Sequence, residues 1–102
     1  MIAVQSIHMY DDAKVAEVMD EMRILGSPTI RICMVDDDTA RALEGVHRLE
    51  AAHRLGLIPR LEVVGRDALV ADLGLDWQDG DADSTVGDML DWFDSRGRVY
   101  YV

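Results

Sequence analysis

Apolar residues recur at intervals of three and four near the start of the chain, and this spacing predicts an amphipathic helix that begins near residue 13. The apolar stripe consists of Val15, Val18, Met19, Met22 and Leu25. Asp11 and Asp12 precede the helix with side chains that cap helices. Gly26 ends it, and Pro28 prevents its continuation. One face of this helix is therefore expected to lie against the core.

Two further stretches show helical spacing. The first follows Gly45 and ends at Gly56, with its apolar side formed by Val46, Leu49, Ala52 and His53. The second covers 85–95, where Thr85 and Asp88 form a pair like a capping box. Its apolar face consists of Val86, Met89, Leu90 and Phe93. We expect this face to pack on the sheet, because a chain of this size offers no other cover except a second subunit.

Short runs of β-branched and alternating apolar residues between the helices predict the strands. They cover 1–7, 29–35, 40–43, 61–64 and 99–102, and a short helix is expected at 67–73. The resulting order is β-α-β-β-α-β, followed by a helix and a strand. The sequence therefore predicts one α/β (α+β) domain with a small mixed sheet, in which 4–64 form the core and 65–102 an acidic extension packed on it.

Size and composition suit a single soluble globule. The chain has 102 residues, of which 49% are hydrophobic and 29% charged. No apolar run reaches the roughly 20 residues that cross a bilayer, and the N-terminus lacks the pattern of a signal peptide. We expect a cytoplasmic protein without membrane contact. Cys33, the single cysteine, is expected to be a small core residue.

The net charge of −10 excludes a globally basic surface that tracks nucleic-acid phosphates. The charge is unevenly distributed. Residues 1–38 hold eight acids and three bases, residues 39–66 three acids and five bases, and residues 67–102 nine acids and two bases. The middle third is therefore the part of the chain that best suits an anion.

That third contains a glycine at a predicted junction between strand and helix. Gly45 allows close approach of a ligand, the amides of the next helical turn attract anions, and His47 and Arg48 add donors. Glu44 is adjacent and is a candidate general base or metal contact in phosphoryl transfer. The competing interpretations are ion pairs of Glu44 with Arg41 or Arg48, or of Arg48 with Glu50.

Around this glycine, residues 44–59 read Glu-Gly-Val-His-Arg-Leu-Glu-Ala-Ala-His-Arg-Leu-Gly-Leu-Ile-Pro. This segment resembles the signature of the ParB/sulfiredoxin-like superfamily, and 15–32 resemble its first helix, base-side loop and next strand. The resemblance covers residues 4–64 and implies that fold. It also implies a phosphate or nucleotide site, with a nucleoside triphosphate and Mg²⁺ as the expected ligands. The residues it assigns to that site are Ser27, Thr29, Gly45, Val46, His47 and Arg48.

The departures from the family pattern narrow the expected function. Val46 stands where sulfiredoxins carry their catalytic cysteine, so sulfinic acid reduction is excluded. Val46, His47 and Glu50 replace a Glu and two Arg of the chromosome-partitioning proteins, so we expect weaker triphosphate binding. Neither the helix that brings their magnesium ligand nor a DNA-reading module follows, so direct DNA binding is not expected. If the protein is an enzyme, a nucleotide hydrolase or phosphoryl-transfer enzyme fits best.

The acidic extension supports an alternative function. Residues 67–94 contain nine acids and no base, with Trp77 and Trp92 beside them. Such a surface suits docking on a basic, nucleic-acid-binding protein partner, as small inhibitors encoded by mobile elements do by imitating DNA charge. The oligomeric state stays open.

Neither the acidic loop nor the remaining histidines predict a metal site. Asp79, Asp81 and Asp83 have the spacing of a calcium loop. The required Gly and Glu are replaced by Ser84 and Leu90, so a solvated acidic surface is the preferred interpretation. His8 and His53 are interpreted as structural.

Overall fold

The computed structural model describes residues 1–6, 9–73, 85–90 and 97–102. The helices are α1 (Asp12–Leu25), α2 (Val46–Leu55), α3 (Val70–Leu73) and α4 (Val86–Leu90). The strands are β1 (Ala3–Gln5), β2 (Thr29–Met34), β3 (Thr39–Ala42), β4 (Arg60–Val63) and β5 (Val99–Tyr101).

The five strands form one mixed sheet in the order β4-β2-β3-β1-β5. The pairs β1–β3 and β2–β4 are parallel, whereas β2–β3 and β1–β5 are antiparallel. The prediction of a small mixed α/β domain is therefore confirmed. The elements also follow the expected β-α-β-β-α-β order, with β5 at an edge of the sheet.

Helix α1 has the termini that its sequence predicts. The Asp11 carboxylate accepts hydrogen bonds from the amides of Ala13 and Lys14, and the Gly26 amide donates to the Met22 carbonyl. Val15 and Met22 are buried against Ala51 and Ala52 of α2. These two alanines are small enough to let the helices approach closely, so α1 and α2 form one layer.

Both faces of the sheet are covered. On one face, Ile30 and Ile32 pack with Leu49 of α2. On the other, Cys33 and Leu43 pack with residues of α3 and α4, namely Val70, Val86 and Leu90. Cys33 was expected to be a small core residue, and it is buried because α3 and α4 cover the side of β2 to which it belongs.

The C-terminal elements differ from their predicted bounds. The helix expected over 67–73 begins only at Val70, because the Ala68 amide bonds the Gly65 carbonyl in a turn. Of the helix expected over 85–95, the structure describes α4, and Phe93 lies outside the described residues. Within the described part of the chain, no helix is long and apolar enough to cross a membrane.

Glu50 of α2 is a buried carboxylate, only 2% exposed, at the junction of three elements. Its Oε1 accepts hydrogen bonds from the Tyr100 hydroxyl (2.7 Å) and from Arg98 (3.0 Å), and its Oε2 accepts one from Arg54 (2.7 Å). Arg54 also donates to Asp12 at the start of α1. We refer to Glu50, Arg54, Arg98 and Tyr100 as the Glu50 cluster, which joins α1, α2 and β5.

The Glu50 cluster keeps its carboxylate ionised. Burial opposes the charged form, but the hydrogen bonds from Tyr100 and Arg54 and the charge of Arg98 outweigh burial and lower the pKa of Glu50. Burial and the bond to Glu50 raise the pKa of Tyr100, so its hydroxyl stays protonated and continues to donate. The cluster is therefore a stable set of charge-assisted hydrogen bonds at neutral pH.

Replacing Tyr100 by Phe is expected to lower the free energy of unfolding by about 1 to 2 kcal/mol, because a hydrogen bond to a buried charge is lost. The adjacent Tyr101→Phe is the matched control, since Tyr101 is 71% exposed. It should change stability by less than about 0.5 kcal/mol. Urea denaturation of both variants measures the difference, and equal effects would contradict the role given to Tyr100.

The Glu50 cluster also predicts a pH dependence. The folded-state pKa of Glu50 lies below that of the unfolded chain, about 4.3. The stability it contributes is therefore present above that pH and is lost as the pH falls through the folded-state pKa. Between about pH 4.5 and 3, the unfolding free energy of the unmodified protein should fall more steeply than that of Glu50→Gln. Parallel pH profiles in urea denaturation would show that Glu50 is not responsible.

Candidate functional site

A cleft of about 640 Å³ lies between α1 and the start of α2. Helix α1 and the loop after it contribute Lys14, Val18, Glu21, Met22, Leu25, Gly26, Ser27 and Pro28, and the start of α2 contributes Glu44, Gly45, Val46, His47 and Arg48. Six of the seven residues predicted for the site therefore line one cleft. The seventh, Thr29, begins β2, and its carbonyl accepts a hydrogen bond from Arg48 (3.1 Å).

Gly45 lines the cleft directly before α2 and allows close packing there. It adopts a left-handed conformation (φ 77°, ψ 31°) that β-carbons disfavour. A Cβ at this position would lie 2.7 Å from the Cδ1 atom of Ile30 and 3.2 Å from Arg48 Nη2. Among the residues that the structure describes, no side chain caps the N-terminus of α2. The positive end of the helix dipole is therefore at the cleft without a neutralising carboxylate in its cap position.

His47 connects the starts of the two helices. Its Nε2 atom accepts a hydrogen bond from the Asp11 amide (3.1 Å), the residue that caps α1. An accepting Nε2 requires the neutral tautomer with the proton on Nδ1. This hydrogen bond links the starts of α1 and α2. The role of His47 as a donor to an anion stays a prediction.

Glu44 forms an ion pair that the sequence analysis did not identify. Its two carboxylate oxygens accept hydrogen bonds from Nε and Nη2 of Arg31, each at 2.8 Å. Arg48 lies farther away, with its Nη2 atom 3.6 Å from Glu44 Oε1. The pairing of Arg31 with Glu44 follows from the strand register. The Leu43 amide donates a hydrogen bond to the Arg31 carbonyl, and this brings Glu44 close to Arg31.

The ion pair affects the chemistry available to Glu44. The hydrogen bonds from Arg31 hold the pKa of Glu44 below its usual value against the opposing effect of burial. A carboxylate with a low pKa accepts protons poorly at neutral pH. The observed arrangement therefore favours a binding or positioning role for Glu44 over that of a general base.

Lys14 is a cleft residue that the sequence analysis missed. Within the described residues, its ammonium group has no hydrogen-bond or ion-pair partner. The helical spacing contained a signal, because Lys14, Val18 and Leu25 recur along one side of α1 and all line the cleft. The stripe predicted from the spacing of apolar residues does not include this lysine.

The cleft is lined by two cations, Lys14 and Arg48, and by two anions, Glu21 and Glu44. Glu44 is neutralised by Arg31, which is not itself a lining residue. The other charged residues of the lining are two cations and one anion, Lys14, Arg48 and Glu21. Their net positive charge favours an anion near the start of α2, where the helix dipole adds to the two cations.

The acidic extension is described only in part. Asp67, Asp72 and Asp88 are exposed. Several residues named from the sequence lie outside the described residues: His8, Trp77, Asp79, Asp81, Asp83, Ser84 and Trp92. Docking of this extension on a basic partner stays a prediction from the charge pattern.

Comparison with known proteins finds no matching family model, no matching curated protein and no matching solved structure. The resemblance to the ParB/sulfiredoxin-like superfamily therefore stays a hypothesis that depends on the 44–59 motif and the order of the elements.

Gly45→Ala is expected to destabilise the protein by about 2 to 3 kcal/mol, because it combines left-handed strain with a clash against Ile30. Gly56→Ala is the matched control. Gly56 is also left-handed (φ 70°), but a Cβ there meets no atom within 4 Å. It should cost about 1 kcal/mol. Chemical denaturation of both variants isolates the clash, and equal losses would show that Gly45 is not closely packed.

Proposed function

We propose that the cleft between α1 and α2 binds a phosphate-bearing small molecule, with a nucleotide as the ligand that the sequence resemblance suggests. The observation that carries the proposal is the meeting of the uncapped start of α2 with Lys14 and Arg48 in one cleft. Amides at a helix N-terminus bind phosphate oxygens, and the two cations add charge-assisted contacts.

The apolar lining of the cleft suits the body of such a ligand. Val18, Met22, Leu25 and Pro28 line it together with the charged residues. A cleft of this size that combines apolar surface with a few polar groups is typical of sites for small organic molecules. The proposed ligand therefore places its phosphate at Gly45–Arg48 and its organic part along α1.

The residues of the cleft do not form a magnesium site. Among the described residues, no group of three metal-ligating side chains lies together, and both oxygens of Glu44 are bound by Arg31. Magnesium would therefore enter with a triphosphate and be held by its phosphate oxygens. The proposal is one of binding and assigns no reaction step to Glu44.

Lys14→Ala should weaken the binding of pyrophosphate and of ATP by about 5- to 10-fold, because one charge-assisted contact is lost. Arg23→Ala is the control for charge. Arg23 lies on the same helix, pairs with Asp20 and does not line the cleft. Isothermal titration calorimetry of the three proteins measures the effect.

The absence of binding heat and of a melting-temperature shift with millimolar pyrophosphate, ATP, CTP and GTP, with and without magnesium, would refute the proposal. Equal loss of affinity in Lys14→Ala and Arg23→Ala would indicate attraction by overall charge and no defined site at the cleft.

A further inference from the structure

The guanidinium group of Arg31 lies between the cleft and the C-terminal part of the chain. Its Nε and Nη2 atoms donate to the two oxygens of Glu44, each at 2.8 Å. Its Nη1 atom donates to the carbonyl of Leu73, also at 2.8 Å. Leu73 is the last residue of α3, on the face of the sheet opposite α2. One side chain thus contacts both a cleft residue and a helix of the extension.

Glu44 in turn has two arginine partners of unequal strength. The pair with Arg31 has two parallel hydrogen bonds, which is the strong and geometrically specific arrangement for arginine and carboxylate. The pair with Arg48 has a separation of 3.6 Å, and the Arg48 side chain is 40% exposed. Such exposed pairs contribute little. Arg48 donates Nη1 to the Thr29 carbonyl. It keeps its charge and its other donors for a ligand because Arg31 already binds both oxygens of Glu44.

We propose that Arg31 is a positioning residue for the cleft: by binding Glu44, it leaves Arg48 available to an anionic ligand, and it links this arrangement to the docking of α3. The inference rests on the proposed phosphate-binding function. Without the bidentate bond from Arg31, the Glu44 carboxylate would form a closer pair with Arg48 and compete with an anionic ligand for its donors. Lysine cannot replace Arg31, because an ammonium group lacks the planar fork that engages both oxygens.

The low pKa of Glu44, which the hydrogen bonds from Arg31 cause, agrees with this division of roles. The contact with Leu73 adds a second consequence. The same guanidinium also binds the carboxyl end of α3. The binding of a ligand to Arg48 therefore favours the arrangement in which Arg31 is bound to Glu44, and so does the docking of α3. Energetic coupling between two sites is reciprocal, so each should stabilise the other.

A double-mutant cycle tests whether Arg31 acts through Glu44. The proteins are the unmodified chain, Arg31→Lys, Glu44→Gln and the double variant, each titrated with pyrophosphate by calorimetry. Arg31→Lys should weaken binding about 5- to 10-fold when Glu44 is present, a change of about 1 to 1.4 kcal/mol. In the Glu44→Gln background, where no carboxylate competes for Arg48, the same change should weaken binding less than about 2-fold.

Equal losses in the two backgrounds would overturn the inference, because a general structural effect of Arg31 does not depend on the charge at position 44. Arg23→Lys serves as the matched control, since it makes the same substitution at the arginine paired with Asp20. It should leave pyrophosphate affinity unchanged. Circular dichroism at the titration temperature establishes that each variant is folded.

A ligand-free readout separates this inference from the proposed function. In nuclear magnetic resonance spectra, Arg31→Lys should raise the pKa of Glu44 and shift the Arg48 Nε–Hε resonance. The double variant should show no such Arg48 shift relative to Glu44→Gln. If these shifts occur but pyrophosphate does not bind, the role of Arg31 stands and the proposed function fails. If the Arg48 resonance does not respond to Arg31→Lys, the inference is wrong even when pyrophosphate binds.

Discussion

The arrangement of this domain depends on the buried carboxylate of Glu50, which is costly to separate from its hydrogen-bond donors. Glu50 is on α2, and its three donors are Arg54 of α2, Tyr100 of β5 and Arg98, which directly precedes β5; Arg54 extends the contact to α1. Removing one partner from a buried charge is more costly than the net contribution of the pair itself, so the elements that carry the partners are held in one relative position. Since α2 also begins at the cleft, the cleft geometry follows from this set of hydrogen bonds.

Arginines perform a second, different task on the opposite face of the sheet. Arg31 and Arg41 donate to the carbonyls of Leu73 and Leu90, the last residues of α3 and α4. Each bond gives a backbone carbonyl of α3 or α4 a charged donor from the sheet. The arginines of β2 and β3 therefore form hydrogen bonds within the molecule, and these bonds hold α3 and α4 of the acidic extension. A local excess of bases does not by itself create an anion site.

The helices α1 and α2 could be predicted because the signals for their ends are local. Asp11 and Gly26 cap α1, and Gly45 and Gly56 border α2. Six of the residues that line the cleft were predicted from the sequence, since Gly45 and its neighbours lie at the start of a helix, whereas Lys14 was not. The partners of Glu44 and Glu50 could not be predicted in this way. Arg31 reaches Glu44 only through the register of β2 and β3, and Tyr100 is 50 residues from Glu50 in sequence. Such pairs depend on topology, which no local pattern contains.

The two bordering glycines give α2 a fixed length of ten residues, and this length has a consequence for how the chain tolerates change. Each residue turns an α-helix by about 100°. An insertion between Gly45 and Leu49 would leave the start of the helix at the cleft but rotate Leu49, Glu50 and the two alanines away from the sheet, Tyr100 and α1. A change of one residue in the length of α2 therefore disturbs its contacts with the sheet, with Tyr100 and with α1 at the same time.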